Sequence, residues 1–179
     1  MKIKIIQEIE ITEKIDRGIR DGLCRCFPPD TEIFSKSRGW HGSMPSWNVI
    51  IEDSERVAAH VGIIDRIIKA GSRQLRVAGI QNVFVLPEYR GQGLFDKLMD
   101  ASMKEAERLG FDAGLLYCVP ALGKVYARCG WKLLPKEDII RIDENGSEVA
   151  IPGKNIAMFF PLKVTDFPAG TIHLQGNDW

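Results

Sequence analysis

The stretch Val83-Phe-Val-Leu-Pro-Glu-Tyr-Arg-Gly-Gln-Gly-Leu-Phe95 is where residue types and spacing carry the most chemistry. An apolar, strand-like run ends at Pro87, a turn with Gly91 and Gly93 follows, and a helical pattern opens directly behind it. The start of a helix presents unpaired main-chain N–H groups and a partial positive charge, so it attracts phosphate. Glycines let the backbone approach an anion without a Cβ in the way. Arg90 adds a charge. The turn lacks the Lys-Ser/Thr of a P-loop, and Leu94-Phe95 interrupts the three-glycine dinucleotide pattern. The competing reading is a plain tight turn whose glycines only supply φ > 0.

The elements that must position this turn follow from periodicity. Lys2 to Ile11 alternates like a strand, and Thr12 is placed to cap a helix with an apolar face of Ile15, Ile19, Leu23 and Phe27. Gly18 and Gly22 weaken that helix and Pro28-Pro29 ends it. Residues 30–46 have no clean period and read as a loop or short helix. A meander follows, with strands at 47–51, 56–69 and 74–86 joined by turns at 52–55 and 70–72. Leu94, Leu98, Ala101 and Leu109 mark a helix closed by Gly110. Then come a buried strand over 111–119, a short helix over 120–129 and a strand start at 131–134. Residues 138–142 and 150–160 are expected to pair around Asn145-Gly146, with a break at Pro152-Gly153, while 161–179 has no assignable pattern. The order strand, helix, meander, helix, strand, helix, closing strands predicts a single α/β (α+β) domain over 1–179. Its sheet is mixed, mostly antiparallel and flanked by helices.

Composition narrows the class. The chain has 179 residues, with 24 Lys plus Arg against 24 Asp plus Glu. Zero net charge speaks against a nucleic-acid binder working by counterion release. No run of about 18 apolar residues suggests a membrane span, and the first residues do not read as a signal peptide. Cys24, Cys26, Cys118 and Cys129 are too few and too irregular for a disulfide framework, so we expect thiols in a reducing cytoplasm and no metal site. A homodimer stays open.

The string V-x-P-E-Y-R-G-Q-G-L, an amphipathic helix, a strand and then V-Y-A-R-C-G-W resembles the GNAT superfamily of acyl-CoA-dependent N-acyltransferases. Its Q/R-x-x-G-x-G/A pattern is met at Arg90, Gly91, Gln92 and Gly93 and departed from at the last position, where Phe95 stands. A tyrosine shortly before a Gly-aromatic pair is met by Tyr126 with Gly130-Trp131, whereas the asparagine many members carry seven residues earlier is Val119 here. The motifs lie within 83–131, and the cofactor core within about 74–134. The resemblance implies that main-chain groups of Val83, Phe84 and Val85 bind pantetheine like an added strand. It also implies that the amides of Arg90, Gly91, Gln92, Gly93, Leu94 and Phe95 hold the pyrophosphate of acetyl-CoA or another acyl-CoA. Strands 74–86 and 111–119 would splay to admit the thioester. Ser37-Arg-Gly-Trp40, Arg56–Gly62, Arg66–Lys69 and Phe167–Thr171 are also similar to segments of rhizobial nodulation N-acyltransferases, which place a fatty acyl chain on a glucosamine oligomer.

Direct transfer to a primary amine of a small-molecule or sugar acceptor needs a deprotonated amine, a polarised carbonyl and a proton for the leaving thiolate. Tyr126 is the expected acid, and a backbone N–H near Val85 would polarise the carbonyl. The glutamate that many members carry eleven residues before the motif is Gly79 here. His60 is therefore the expected base, with His41 its competitor, because an imidazole titrates near working pH. Glu52 and Asp53 read as turn residues. Trp40 and Trp47 could line a sugar site, and Cys118 and Cys129 flank the thioester region without an evident activating base. Alternatives to acetyl transfer are a longer-chain acyltransferase acting on an amino sugar and a non-catalytic acyl-CoA-binding regulator.

Overall fold

The Thr12 hydroxyl accepts from Ile15 N at 3.3 Å and opens α1 (Glu13–Cys26), as its position before an i, i+4 apolar row predicts. The structure, a computed structural model, describes residues 1–135, 138–151 and 153–179. Two compact units emerge, each from two stretches of chain: Met1–Ile64 with Gln81–Ser102, and Asp65–Ile80 with Met103–Trp179.

In the first unit, β1 (Lys2–Gln7) pairs antiparallel with β2 (Trp47–Asp53), which pairs with the beginning of β3 (Arg56–Ala70). The end of β4 (Arg73–Val85) also lies in this unit, and Leu86 N donates to Ala58 O just beyond it. β1 stops four residues short of the expected Ile11, because a short 3-10 turn at Glu8–Glu10 reciprocally caps itself with Gln7. The stretch without period forms a one-turn helix, α2 (Thr31–Phe34). Ile19 and Leu23 of α1 pack with Phe34, Ile50, Val57, Phe84 and Leu86 into this unit's core. The glycine that weakens α1 has a steric reason, since a Cβ at Gly22 would stand 2.2 Å from the Phe84 ring. The first part of α3 (Leu94–Arg108) completes the unit.

In the second unit the sheet order is β6 (Lys132–Leu133), β9 (Ile156–Pro161), β5 (Ala113–Cys118), β4, β3, β10 (Ile172–His173), β7 (Ile139–Ile142) and β8 (Glu148–Ala150). β5 runs parallel to β4 over Val77–Ile80 and antiparallel to β9. β9 also takes β6. Around Asn145-Gly146, β7 pairs with β8, so the hairpin partner is not the 156–161 segment, which joins β5 instead. Of the expected Pro152-Gly153 break, Pro152 lies outside the described residues. The segment without a pattern contributes β10, antiparallel to β3 and parallel to β7. A short helix, α4 (Gly123–Arg128), precedes β6. The architecture is mixed α+β with mostly antiparallel pairing, as expected.

Candidate functional site

In the first unit, the turn after β4 begins as a short 3-10 stretch, Tyr89 N donating to Leu86 O and Arg90 N to Pro87 O. Gly91 and Gly93 then take φ of 75° and 71°, and Lys97 N donates to Gly93 O as α3 opens. Among the described residues, the main-chain N–H groups of Gly91, Gln92, Gly93 and Leu94 meet no acceptor. A Cβ built on either glycine would have nothing within 4 Å. Successive bare amides in a concave, open turn at a helix start form an anion cradle. The nearby acid is countered: Glu88 binds Arg25 at 3.1 Å and Arg56 at 2.9 Å, and the hydrogen bonds from Arg25 hold its carboxyl below the usual range. Arg90 turns part of its donor set inward, its Nε donating to Val85 O at 3.2 Å, and Cys26 Sγ lies 3.8 Å from the same carbonyl. That carbonyl is thus already engaged.

His60, on β3, has no exposed surface. Its Nε2 faces Asn48 Oδ1 at 2.9 Å and its Nδ1 faces Asn82 O at 3.0 Å. Asn48 is oriented by Glu8, which accepts from its Nδ2 at 3.0 Å and binds both terminal nitrogens of Arg38. Arg38 Nε in turn donates to Asp16 at 2.6 Å. Both groups facing the imidazole are acceptors, and a neutral ring has one hydrogen to offer. Burial pulls its pKa down to about 3, with the positive Arg38 adding to the effect. This differs from the expectation of a base open to the acceptor: neither ring nitrogen reaches free space. The ring instead steadies Asn82, which sits at φ 53° within β4 and whose amide donates to Arg38 O. Gln81 joins the same loop through Trp40 N and Ser43 O. His41 lies at φ 45° against the Trp40 ring, while Glu52 pairs with Lys4 and Asp53 accepts from Tyr89 OH. Sequence patterning missed Glu8, Asp16, Arg38, Asn48 and Asn82; the polar pair Gln81-Asn82 inside an apolar strand was the available signal.

A stability test follows from the ring's burial. An unfolded histidine with its ordinary pKa of 6.5 binds a proton that the folded one refuses until about pH 3. Folding stability is therefore expected to fall on acidification below 6.5, by about 1.4 kcal/mol per pH unit. Asp16 acts in a lower window: burial raises its carboxyl, but Arg38 and Arg20 outweigh this and hold it below 3.8, so its contribution is lost only beneath that value. Denaturant unfolding of His60→Gln should show stability falling less steeply than the parent's between pH 6.5 and 3.8, where Asp16 does not yet contribute, and an equal slope would refute the assignment.

In the second unit, Tyr126 lies on α4, 7% exposed, its ring edge-on to Trp131 at 6.1 Å. Burial first, then the neighbouring Cys118 and Cys129, push its phenol well above the usual range, so it keeps its proton throughout physiological pH. Burial also raises the Cys118 thiol to about 11, which leaves little thiolate for nucleophilic use. Gly79, where the resemblance would put a glutamate, faces Trp179: indole atoms come within 2.5–2.8 Å of the point a Cβ would occupy. An acidic side chain at 79 and this placement of Trp179 exclude one another. The β4–β5 ladder of this unit ends at Ile80↔Leu116. Among the described residues no cluster of three or more His, Cys, Asp or Glu could hold a metal ion, and no helix is long and apolar enough to cross a membrane.

Residues 10–134 match the Acetyltransferase (GNAT) domain model. The chain belongs to the GNAT acetyltransferase family. The match takes in the glycine turn and Tyr126 alike. Among curated relatives of this GNAT chain, nodulation protein A of Rhizobium leguminosarum bv. viciae is 32% identical over 51% of the chain and 48% of its own length. That of Mesorhizobium plurifarium is 33% identical over 69% and 63%. The chain therefore spans less than two thirds of either. Its fold matches a GNAT family N-acetyltransferase (YhbS) of Escherichia coli in complex with CoA, with a TM-score of 0.70, 20% identity and coverage of 97% and 89%. A GNAT family acetyltransferase of Brucella melitensis in complex with acetyl-CoA matches with a TM-score of 0.55 and 22% identity over 73% and 83%.

Proposed function

We propose that the chain transfers an acetyl group from acetyl-CoA to a primary amine by direct attack within a ternary complex. The bare amides of Gly91 to Leu94 in an open turn carry this reading, since they offer a diphosphate several donors at no cost in existing hydrogen bonds. In the proposed reaction the amine nitrogen forms a bond to the thioester carbon as the C–S bond breaks. The sulfur takes the Tyr126 hydrogen, and the phenolate regains a proton from the one the amine loses. A main-chain N–H near Val85 would steady the carbonyl oxygen, and Val83–Val85 would hold the pantetheine through the groups not already engaged. His60 enters as a positioning residue acting through Asn82, not as the base. We read residues 1–179 as one transferase domain.

Binding is checked by thermal unfolding with CoA. At a hundred times its Kd, a ligand adds about 2.7 kcal/mol, which raises the midpoint by about 5–10 °C for a chain of this size. No rise at millimolar CoA would refute the reading. The nodulation protein A relatives favour a second version, transfer of a longer acyl chain to an amino sugar. Competition between acetyl-CoA and long-chain acyl-CoA decides between them, a preference for the long chain selecting the second. Tight CoA binding without transfer to any amine would identify a binding module.

A further inference from the structure

In the second unit, residues 176–179 lie on the sheet much as a bound ligand would. The Trp179 indole fills the space left by the missing side chain of Gly79. Gly79 pairs with Leu115, so Tyr117, two residues on, shares its face of the sheet. The Tyr117 ring stands 5.8 Å from the indole, and the Arg66 guanidinium carbon lies 5.1 Å from the indole centroid. Arg66 Nη1 donates to the Asn177 main-chain oxygen. Arg141 Nη1 donates to Asn177 Oδ1 at 2.5 Å and stands 3.5 Å from the Asp178 carboxylate, while Ile142 N donates to Gly176 O. A planar ring, a carboxylate and carbonyl oxygens are thus laid on two guanidinium groups and a phenol.

The fit is incomplete at its centre. Trp179 is only 7% exposed, yet its Nε1–H, like the buried Tyr117 O–H, has no acceptor among the described residues. A buried donor left without an acceptor is destabilising relative to a paired one. Burial and the nearby Asp178 push the Tyr117 phenol upward against the opposing Arg66 charge, so it stays a donor. The anionic and carbonyl groups of the segment are well served, whereas the ring and the phenol beneath it are not. Such a surface accommodates a ring better if that ring brings an oxygen to the phenol.

We propose that Gly79, Arg66, Tyr117 and Arg141 form a binding site for a planar ring bearing a carboxylate, and that residues 176–179 occupy it as a tethered internal competitor. The ring would lie in the Gly79 notch under Arg66, an oxygen would accept from Tyr117, and the carboxylate would replace Asp178 against Arg141. The site goes beyond acyl transfer and needs no acyl donor. A tethered competitor acts at high effective concentration, so the intact chain binds weakly until the segment withdraws.

5-Hydroxyindole-3-acetate, a planar ring carrying both an oxygen and a carboxylate, is a suitable probe, titrated calorimetrically into the full chain in the absence of CoA. Trp179→Ala is expected to bind at least tenfold tighter than the parent, and adding Arg66→Gln should abolish the gain. Absence of binding to folded Trp179→Ala at millimolar probe, or a gain indifferent to Arg66→Gln, overturns the proposal. Should Trp179→Ala fail to fold, hydrogen exchange on the parent decides. Millimolar probe should speed exchange of the 177–179 amides, and unchanged exchange overturns the proposal. Neither readout involves transfer, so a negative result here is separate from failure of the transferase reading.

Discussion

Replacing Tyr126 with Phe is expected to lower kcat by about 100-fold while leaving CoA affinity unchanged, since a positioned general acid contributes roughly 10²–10⁴ in rate. The substitution keeps the ring and its edge-on contact with Trp131, so the fold should stand. It removes only the O–H. The acid acts on the departing sulfur, so the loss should be greatest where C–S cleavage limits the rate. The pH dependence of kcat tests the same role independently. Burial raises the phenol, so the acid is present in its protonated form across the physiological range and should impose no alkaline fall there. Stopped turnover measurements with acetyl-CoA and an amine panel, alongside CoA titration, test both halves. An unchanged kcat removes the assigned acid.

Gly93→Ala should weaken CoA binding by about tenfold or more for a modest loss of stability. At φ 71° an L-residue costs about 1–2 kcal/mol. The added methyl meets no protein atom within 4 Å, so its steric effect falls on whatever the bare amides hold. Gly146 supplies the control. It has φ 79° and similarly open surroundings in the β7–β8 turn, away from the glycine turn in sequence. Gly146→Ala should show a comparable drop in unfolding midpoint and no change in CoA affinity. If the two variants behave alike towards CoA, the turn at Gly91–Gly93 is only a tight turn.

Local signals were legible from the chain; distant partners were not. Thr12 announced α1 because an N-cap acts within three residues, and the glycine turn declared itself because φ > 0 and bare amides are local properties. The meander strands followed from alternation over short turns. By contrast, β9 chose β5 over the hairpin neighbour, a choice made by packing across the sheet that no local period records. β10 is two residues long, too short to print a pattern. His60 drew attention as a mid-strand imidazole, but its partners, Asn48 on β2 and Asn82 on β4, are held in turn by Glu8 and Arg38 far off in sequence, so its burial could not be seen. Gly79 read as an absent glutamate. Only the fold shows the Trp179 ring standing where that side chain would project.

The interleaving of the two units along the chain constrains how the protein can be made and cut. Because each is built from two stretches separated by part of the other, no continuous fragment holds one whole unit without a stretch of the other. During vectorial synthesis the first unit cannot close until Gln81–Ser102 has emerged, after the opening stretch of the second is already out. A cut near Ile64 divides the first unit and one near Ser102 divides the second, so the fragment left with a partial unit, 1–64 or 103–179, should be unstructured alone and regain order only on mixing with its complement.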